Sequence, residues 1–368
     1  METFTEFWKA QDREQREKDV AAMTARDVSD ALNKEVLSPR DFLTLLSPAA
    51  APYLEAMARR AHELTARYFG LYISDVCTNH CRYYGFNAEN KQKRTHLTVD
   101  EAYAEALAIY KDGLQDILLL TGEAPGISTP QYIADVVRRI KPLFASIGIE
   151  VYSLTEDEYV MMAEAGVNYM TMFQETYNPV LYKYLHPAGP KSNYEYRLDA
   201  PERAGRAGMR SLSLGALLGL DRLYDDGYAT GLHAWWLQRR FPGTDIGLCI
   251  PRICSHEGSF DIPYPLDDRS FVQYLTALRI FLPRDCLTCS SRESADMRNH
   301  IVQICVNRVS AGVSTAVGGR VKFSHTPPQF DITDKRGVEE MERDLISLGY
   351  QPVIKDWEDP TLSSTVRV

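Results

Sequence analysis

The chain is organised around residues 71–86, which read Leu71-Tyr72-Ile73-Ser74-Asp75-Val76-Cys77-Thr78-Asn79-His80-Cys81-Arg82-Tyr83-Tyr84-Gly85-Phe86. The segment opens with a short apolar run, as expected of a buried strand, and continues into two cysteines and an aromatic-glycine-aromatic patch. Thiolates are the usual ligands of iron–sulfur clusters, and Cys77 and Cys81 are near enough in sequence to bind one cluster. The pair is a weak signal by itself, because two cysteines do not complete a four-iron site.

The composition of the chain is that of an ordinary globular protein, with 368 residues, 45% hydrophobic and 25% charged. A formal net charge of -9 argues against a nucleic-acid or anionic-membrane partner. The sequence lacks the apolar run of ~18 residues that a membrane helix needs, and its first residues do not resemble a secretory signal. Seven cysteines form no small-domain disulfide pattern, so we predict a reduced, cytoplasmic chain.

The hydrophobic pattern predicts about eight strands, most of which alternate with helices. Such alternation favours an α/β fold with a parallel sheet, and eight units in roughly 250 residues fit a (β/α)8 TIM-type barrel. An open doubly wound sheet is the alternative, but no G-x-G-x-x-G follows a strand to support it. We predict an N-terminal helical extension over residues 1–70, the barrel over 71–332 and a C-terminal tail over 333–368 that packs on the barrel.

The cysteine loop resembles the C-x3-C-x2-C cluster loop of the radical S-adenosylmethionine (radical SAM) enzymes, and in detail that of the branch with 2-iminoacetate synthase, the tyrosine lyase of thiazole biosynthesis. The likeness covers about residues 42–357. It implies a 4Fe-4S cluster and S-adenosyl-L-methionine (SAM) as cofactors, with Cys77 and Cys81 as metal ligands. Tyr84 stands at the third ligand position, where the family has cysteine. A phenolate can bind ferric iron, but it is a poor replacement for a cluster thiolate.

The strand before the cysteine loop also departs from the family. An apolar β segment usually stands between Gly70 and Leu71, and it is missing here, so we expect a first strand that is shortened or rebuilt from residues 66–69. Together with Tyr84, this suggests an enzyme impaired in cluster assembly. Two rivals stay open: an active lyase whose cluster is completed by Tyr84, His80 or an outside ligand, and a non-catalytic barrel that binds SAM or a thiazole-pathway partner.

Active sites of parallel barrels gather at the C-terminal ends of the strands, so residues that follow strands are the candidates. Gly122 and Glu123 follow the second strand and match the family position that holds the amino group of SAM. Glu175 follows the fourth and, with Tyr177, is expected to face cofactor or substrate. The alternatives are an ordinary turn at the first place and a polar helix start at the second.

Three further residues are implied to bind SAM. Arg203 matches the family arginine that pairs with the SAM carboxylate, a task suited to the two-pronged guanidinium. Gly215 and Gly219 match a strand that lets the adenine lie against the backbone. A solvated helix arginine and a strand where small residues allow close packing are the alternative interpretations.

The resemblance also implies residues at the substrate. Tyr72 matches a tyrosine near the substrate, Arg292 the arginine that binds the substrate carboxylate, and Ser310 a hydroxyl that adds a hydrogen bond. The alternative for each is core packing or a surface contact.

The activity implied is radical cleavage of the Cα–Cβ bond of L-tyrosine to p-cresol and 2-iminoacetate (dehydroglycine) for the thiazole of thiamine. A reductant such as flavodoxin or ferredoxin, and thiazole synthase, are the implied partners. A tryptophan lyase of the same branch stays an alternative, because pocket shape rather than a motif separates the two. The tyrosine lyase of hydrogenase maturation is disfavoured, because it has a C-terminal cysteine cluster and this sequence has no cysteine after Cys305.

Overall fold

Helices outside the barrel form the start of the chain. The computed structural model describes residues 2–61, 66–68, 70–83, 86–91, 94–253, 260–313, 316–321 and 332–352. The first helices are α1 (Phe4–Lys9), α2 (Arg13–Ala22), α3 (Ala25–Asn33), α4 (Pro39–Leu46) and α5 (Leu54–Ala61), with a 3-10 turn over Pro48–Tyr53. Helices α1 to α4 each begin at a side chain that accepts a backbone hydrogen bond, which satisfies a donor that the helix leaves open.

Within the described residues, nine parallel strands form one sheet. They are β1 (Ala66–Tyr68), β2 (Gly70–Ser74), β3 (Asp116–Thr121), β4 (Ser146–Glu150), β5 (Tyr169–Glu175), β6 (Ser211–Ala216), β7 (Asp245–Cys249), β8 (Cys286–Cys289) and β9 (Arg308–Ser310). The spatial order is β1-β9-β8-β7-β6-β5-β4-β3-β2. Because β1 and β2 almost adjoin in sequence yet pair with β9 and β3, the sheet curls until its two ends meet. The predicted α/β barrel is confirmed.

The first strand of the barrel is formed by two short strands, β1 and β2, which pair with different neighbours. Residues 66–68 pair with β9, and residues 70–74 pair with β3. One nearly continuous stretch therefore serves both ends of the sheet, as the expected rebuilding from residues 66–69 requires. Residue 69 lies outside the described residues.

The remaining helices surround the sheet. They are α6 (Val99–Lys111), α7 (Pro130–Ile140), α8 (Glu156–Ala165), α9 (Pro179–Leu185), α10 (Tyr194–Leu198), α11 (Ala200–Arg206), α12 (Tyr228–Arg240), α13 (Asp268–Phe281), α14 (Ala295–Val302) and α15 (Val338–Ser347). All six residues of β3 are buried, as expected of a parallel strand covered on both faces. No helix in the described ranges is long and apolar enough to cross a membrane.

Both ends of the described chain contact the barrel. In α1, the ring of Phe4 stacks on His233 with centroids 3.8 Å apart, and the indole N–H of Trp8 donates to the Tyr177 carbonyl at 3.1 Å. At the other end, Arg298 and Arg336 both pair with the carboxylate of Asp334. Both sets of contacts lie next to strand ends, because Tyr177 closely follows β5 and Arg298 also donates to the carbonyl of Ser310, the last residue of β9.

Candidate active site

A cavity opens at the C-terminal ends of the strands. Its lining includes one or more residues that end or follow β2, β3, β4, β5, β7, β8 and β9, among them Cys77, Glu123, Glu150, Glu175, Cys249 and Arg292. Parallel strands all point their carboxyl ends to the same side of the barrel, so residues far apart in sequence meet here.

The cysteine loop forms one wall of this cavity. Cys77 and Cys81 are both buried and both line it. Burial raises the pKa of Cys77, and it raises the pKa of Cys81 to about 12. Metal binding must therefore displace protons that these thiols carry at neutral pH. The loop is tied to the next strand end, because the Thr78 N–H donates to the Glu123 carbonyl at 3.0 Å.

The other candidates for the cluster are placed differently. The Nδ1 of His80 lies 3.0 Å from a carboxylate oxygen of Glu89, and His80 is not among the lining residues. Tyr84, the residue at the third ligand position, lies outside the described residues.

Glycine is required where the β3 end meets the cysteine loop. The N–H of Gly122 donates to the Ser74 carbonyl at 2.8 Å. A Cβ atom at residue 122 would lie 2.3 Å from the Val76 carbonyl oxygen, which is backbone and cannot swing aside. Any larger residue would displace the segment that leads into Cys77.

Glu123 presents an ionised carboxylate to the cavity. One of its oxygens accepts from Arg197 at 2.8 Å, and the other, Oε2, is buried without a hydrogen bond of normal geometry among the described residues, with the Asn79 side chain close by. Burial acts to raise the pKa of Glu123, but the charges of Arg197 and Lys191 lower it below its ordinary value. Oε2 is suited to a cationic hydrogen-bond donor.

Glu175 forms a second buried ion pair, with Lys191. Burial acts to lower the pKa of Lys191, and the neighbouring charges, above all that of Glu175, raise it above its ordinary value. Glu175 has φ of 69°, in the left-handed region where a residue with a side chain is strained by about 1–3 kcal/mol. The β5–β6 register shifts at the same place, between Phe173 and Glu175. The bend turns the Glu175 carboxylate into the cavity.

The three expected substrate residues, Tyr72, Arg292 and Ser310, line the same cavity. Burial raises the pKa of Tyr72 well above its ordinary value; the charge of Glu150 adds to this and that of Arg292 opposes it. The Tyr72 ring meets Phe86 edge-on, with centroids 6.0 Å apart. The structure thus brings these side chains together, and their roles stay predictions.

Arg203 is placed outside the cavity lining, and its role with SAM stays a prediction. Its guanidinium donates to the Leu154 carbonyl at 2.9 Å and to the Tyr196 carbonyl at 2.7 Å, and it stacks 3.8 Å above the Tyr196 ring. Arg203 does not line the cavity, whereas Arg197, on α10, does. The reason is that Arg203 lies on α11, which packs against α8, so its side chain is used to join outer segments.

The two glycines of the predicted adenine strand also lie outside the cavity lining, and their role stays a prediction. A Cβ atom at Gly215 would lie 2.0 Å from the Cys249 carbonyl oxygen, so this glycine permits close approach of β6 and β7. Gly219 has φ of +112° and faces the side chain of Ile253. Neither lines the cavity, but Leu217, between them, does.

Tyr177 is not among the lining residues either. Its N–H donates to the buried Asp226 at 2.7 Å, and its hydroxyl lies 3.1 Å from Nδ1 of His233. These bonds place it under the N-terminal helix α1.

Three charged residues of the cavity were missed from the sequence: Glu150, Lys191 and Arg197. Glu150 had a usable signal, because it is the charged residue at the carboxyl end of a strand with no other charge. Burial and then the charge of Glu175 raise its pKa to about 7. Lys191 and Arg197 follow no strand directly, so nothing in the sequence pattern pointed to them.

Sequence profiles of known families match most of the chain. The Radical SAM superfamily matches residues 71–227, and the Biotin and Thiamin Synthesis associated domain matches residues 249–351. A parallel barrel with a cysteine loop after its first strand, opening into a cavity of paired charges, defines this chain as a radical SAM enzyme.

Relatives over the full length narrow the assignment. The 2-iminoacetate synthases of Salmonella typhimurium and Escherichia coli (strain K12) are each 35% identical to this chain. Each alignment covers 97% of this chain and 97% of the relative. The crystal structure of HydG, a maturase of the [FeFe]-hydrogenase, superposes with a TM-score of 0.86 at 28% identity, over 94% of this chain and 80% of that one. The chain belongs to the 2-iminoacetate synthase family, a family of radical SAM lyases. Its cofactors are a 4Fe-4S cluster and SAM.

The donors in the cavity fit SAM. The Oε2 oxygen of Glu123 suits the methionine ammonium, and the Arg197 guanidinium suits the methionine carboxylate. Leu217, Ile250 and Ile253 give the same cavity an apolar wall.

The cavity supplies two of the three protein ligands that the family uses to bind its cluster. Cys77 and Cys81 supply thiols, but the described part of the chain holds no group of three or more His, Cys, Asp or Glu side chains that could bind a metal ion. The sequence puts Tyr84 where the family has its third thiolate. The hypothesis that cluster assembly is impaired rests on this residue and stays a prediction.

Proposed function

We propose that this chain cleaves the Cα–Cβ bond of L-tyrosine to 2-iminoacetate and p-cresol, and that 2-iminoacetate enters the thiazole of thiamine. One observation carries the proposal. Tyr72, Arg292 and Ser310, the residues expected at the substrate, line the same cavity as Glu123 and Arg197, the residues suited to SAM. Full-length relationship to two 2-iminoacetate synthases supports the same reaction.

The side chains of this cavity bind and orient the substrate. Arg292 has the planar fork that binds a carboxylate through two parallel hydrogen bonds, and Ser310, which lines the same cavity, would add a third through its hydroxyl. Tyr72, buried against Phe86, limits the space beside the substrate. SAM, when bound, supplies radical chemistry that removes a hydrogen atom from the substrate. The buried walls exclude water that would quench such chemistry.

Partners follow from the reaction. Radical cleavage needs one electron per turnover, so we propose a small reductant such as flavodoxin or ferredoxin. The product is a reactive imine, for which direct transfer to thiazole synthase in the cytoplasm is the natural fate.

The test is product formation by anaerobically reconstituted protein with SAM, dithionite and L-tyrosine. Chromatography of p-cresol is the readout, with L-tryptophan as the rival substrate and the Tyr84→Cys variant beside the natural sequence. We expect p-cresol from tyrosine, and more of it from Tyr84→Cys. If Tyr84→Cys assembles a cluster and cleaves only tryptophan, the chain is a tryptophan lyase. If it assembles a cluster and cleaves neither, the proposal fails.

A second candidate function is favoured by Tyr84 alone. A barrel that binds SAM but holds no complete cluster would be a non-catalytic partner in the thiazole pathway. Electron paramagnetic resonance of the reduced protein, with and without SAM, separates the two. A four-iron signal that changes when SAM is added excludes the non-catalytic role.

A further inference from the structure

Glu150 is the carboxylate of the cavity that the assigned roles leave unused. It ends β4, between the strand that leads to Glu123 and the strand that ends at Glu175. It lines the cavity together with Tyr72 and Arg292.

Glu150 differs from the other carboxylates of the cavity in its partners. Glu123 is paired with Arg197, and Glu175 with Lys191. Among the described residues, Glu150 has neither a hydrogen-bond nor an ion-pair partner for its side chain. Glu150 is the partly exposed end of an otherwise buried strand, so its carboxylate reaches the open cavity, where a ligand can pair with it.

The charges around Glu150 are consistent with a zwitterion as that ligand. Arg292 lies close enough to Glu150 and Tyr72 for its positive charge to lower the pKa of both side chains. An α-amino acid carries an anionic and a cationic group on the same carbon. If its carboxylate binds Arg292, its ammonium is held near a carboxylate that can compensate the positive charge.

We propose that Glu150 binds the α-ammonium group of the substrate amino acid and accepts one proton from it. This role rests on the proposed function of the cavity as the tyrosine site. The N–H bond breaks with its electron pair left on nitrogen, and the proton joins a carboxylate oxygen. An ammonium and a carboxylate thus become an amine and a carboxylic acid, with no net change in charge. The neutral amine yields a hydrogen atom more readily, because no positive charge is left on the nitrogen radical.

Other charges around Glu150 permit this exchange. The titratable and charged groups that face it are Tyr72, Glu175, Lys191, Arg197, Cys249 and Arg292. Burial and Glu175 raise the pKa of Glu150 to about 7, while Lys191, Arg197 and Arg292 oppose the rise. A carboxyl group that titrates near neutral pH can take a proton from the substrate and later release it.

Binding measurements on the full chain test the proposal without turnover. Isothermal titration calorimetry with SAM present compares L-tyrosine with 3-(4-hydroxyphenyl)propanoate, which lacks the amino group, and with L-phenylalanine, which lacks the phenol. Glu150→Gln removes the charge and keeps the shape, and Glu150→Asp keeps the charge. Glu164→Gln makes the same chemical change on the exposed face of α8 and is the control.

We expect Glu150→Gln to bind L-tyrosine and L-phenylalanine about 30-fold more weakly, a loss typical of neutralising one member of a buried charge pair. Its affinity for the propanoate is expected to stay within about threefold of the natural chain, and Glu150→Asp is expected to recover part of the loss. Thermal unfolding checks that each variant is folded.

Three results would contradict the proposal, and each points to a different cause. Equal loss for tyrosine and the propanoate overturns the ammonium role, because a lost fold or pocket would have that effect. Loss confined to ligands with a phenol shows that Glu150 binds the phenol, which also overturns it. If the natural chain binds neither tyrosine nor phenylalanine while it binds SAM, the proposed function fails, and this role fails with it.

Discussion

Replacing Glu123 by glutamine tests how the cavity recognises SAM, and the structure gives the expected size of the effect. Glu123 accepts a hydrogen bond from Arg197 at 2.8 Å, and the two side chains are 12% and 6% exposed. Glutamine can still accept this bond through its amide oxygen, so what is lost is the charge. Breaking a buried pair outright costs about 3–5 kcal/mol, and keeping a neutral hydrogen bond recovers part of this. We expect the free energy of unfolding to fall by about 2 kcal/mol.

The effect on SAM has a separate origin. The second carboxylate oxygen of Glu123 is buried without a hydrogen bond of normal geometry among the described residues, and we expect it to bind the methionine ammonium. Calorimetry should show SAM bound about 30-fold more weakly by Glu123→Gln. 5′-Methylthioadenosine, which lacks the amino-acid part of SAM, should bind both proteins alike. Unchanged affinity for SAM, or an equal loss for both ligands, would refute the assigned contact.

The stability effect also has a defined pH dependence. The charges of Arg197 and Lys191, acting against burial, lower the pKa of Glu123 in the folded protein. A carboxyl group with a depressed pKa stabilises the fold at pH values above its unfolded pKa, about 4.3, and this is lost as the pH falls through the folded value. The difference in unfolding free energy between the two proteins should be complete at about pH 6 and should shrink below about pH 4.

Three other changes are predicted. Gly122→Ala puts a Cβ atom 2.3 Å from the Val76 carbonyl oxygen, so it should cost about 2 kcal/mol in unfolding free energy and make Cys77 more reactive to a thiol reagent, as followed by peptide mass spectrometry. Normal stability of this variant would mean that the loop is looser than described. Tyr84→Cys should raise iron and sulfide content after anaerobic reconstitution, because it restores a third thiolate; if the variant still holds no cluster, the short first strand is the more serious defect. Arg203→Lys should leave the affinity for SAM unchanged in calorimetry, because Arg203 binds backbone carbonyls outside the cavity, and a tenfold loss would contradict that placement.

Local sequence order predicted much of this protein. Apolar runs that alternate with helices indicated a barrel, and the carboxyl ends of parallel strands must share one side of it. For this reason Tyr72, Glu123, Glu175 and Arg292, read one strand at a time, all lie in one cavity. The cysteine loop at Cys77 indicated the family because its residues are neighbours in sequence and can be recognised as one motif.

Residues that reach the cavity from helical segments were beyond the sequence pattern. Arg197 and Arg203 lie close together in the chain, each in the last turn of a short helix, and the resemblance favoured the second. Packing decided otherwise, because α10 faces the strand ends while α11 packs against α8. Gly215, in β6, and Gly219, which follows it, also lie outside the cavity lining, and the contact of Gly215 with the neighbouring strand can be seen only when both strands are in place.

The sequence by itself determined the class of chemistry: a barrel, a cysteine loop with Tyr84 at its third position, and acidic and basic residues at the strand ends. Only the tertiary structure decided which charges pair. Arg197 meets Glu123 from 74 residues away, and Lys191 meets Glu175. Because an ion pair depends on distance across the barrel and not along the chain, only the folded structure could show that Glu150, unlike Glu123 and Glu175, has no such partner among the described residues.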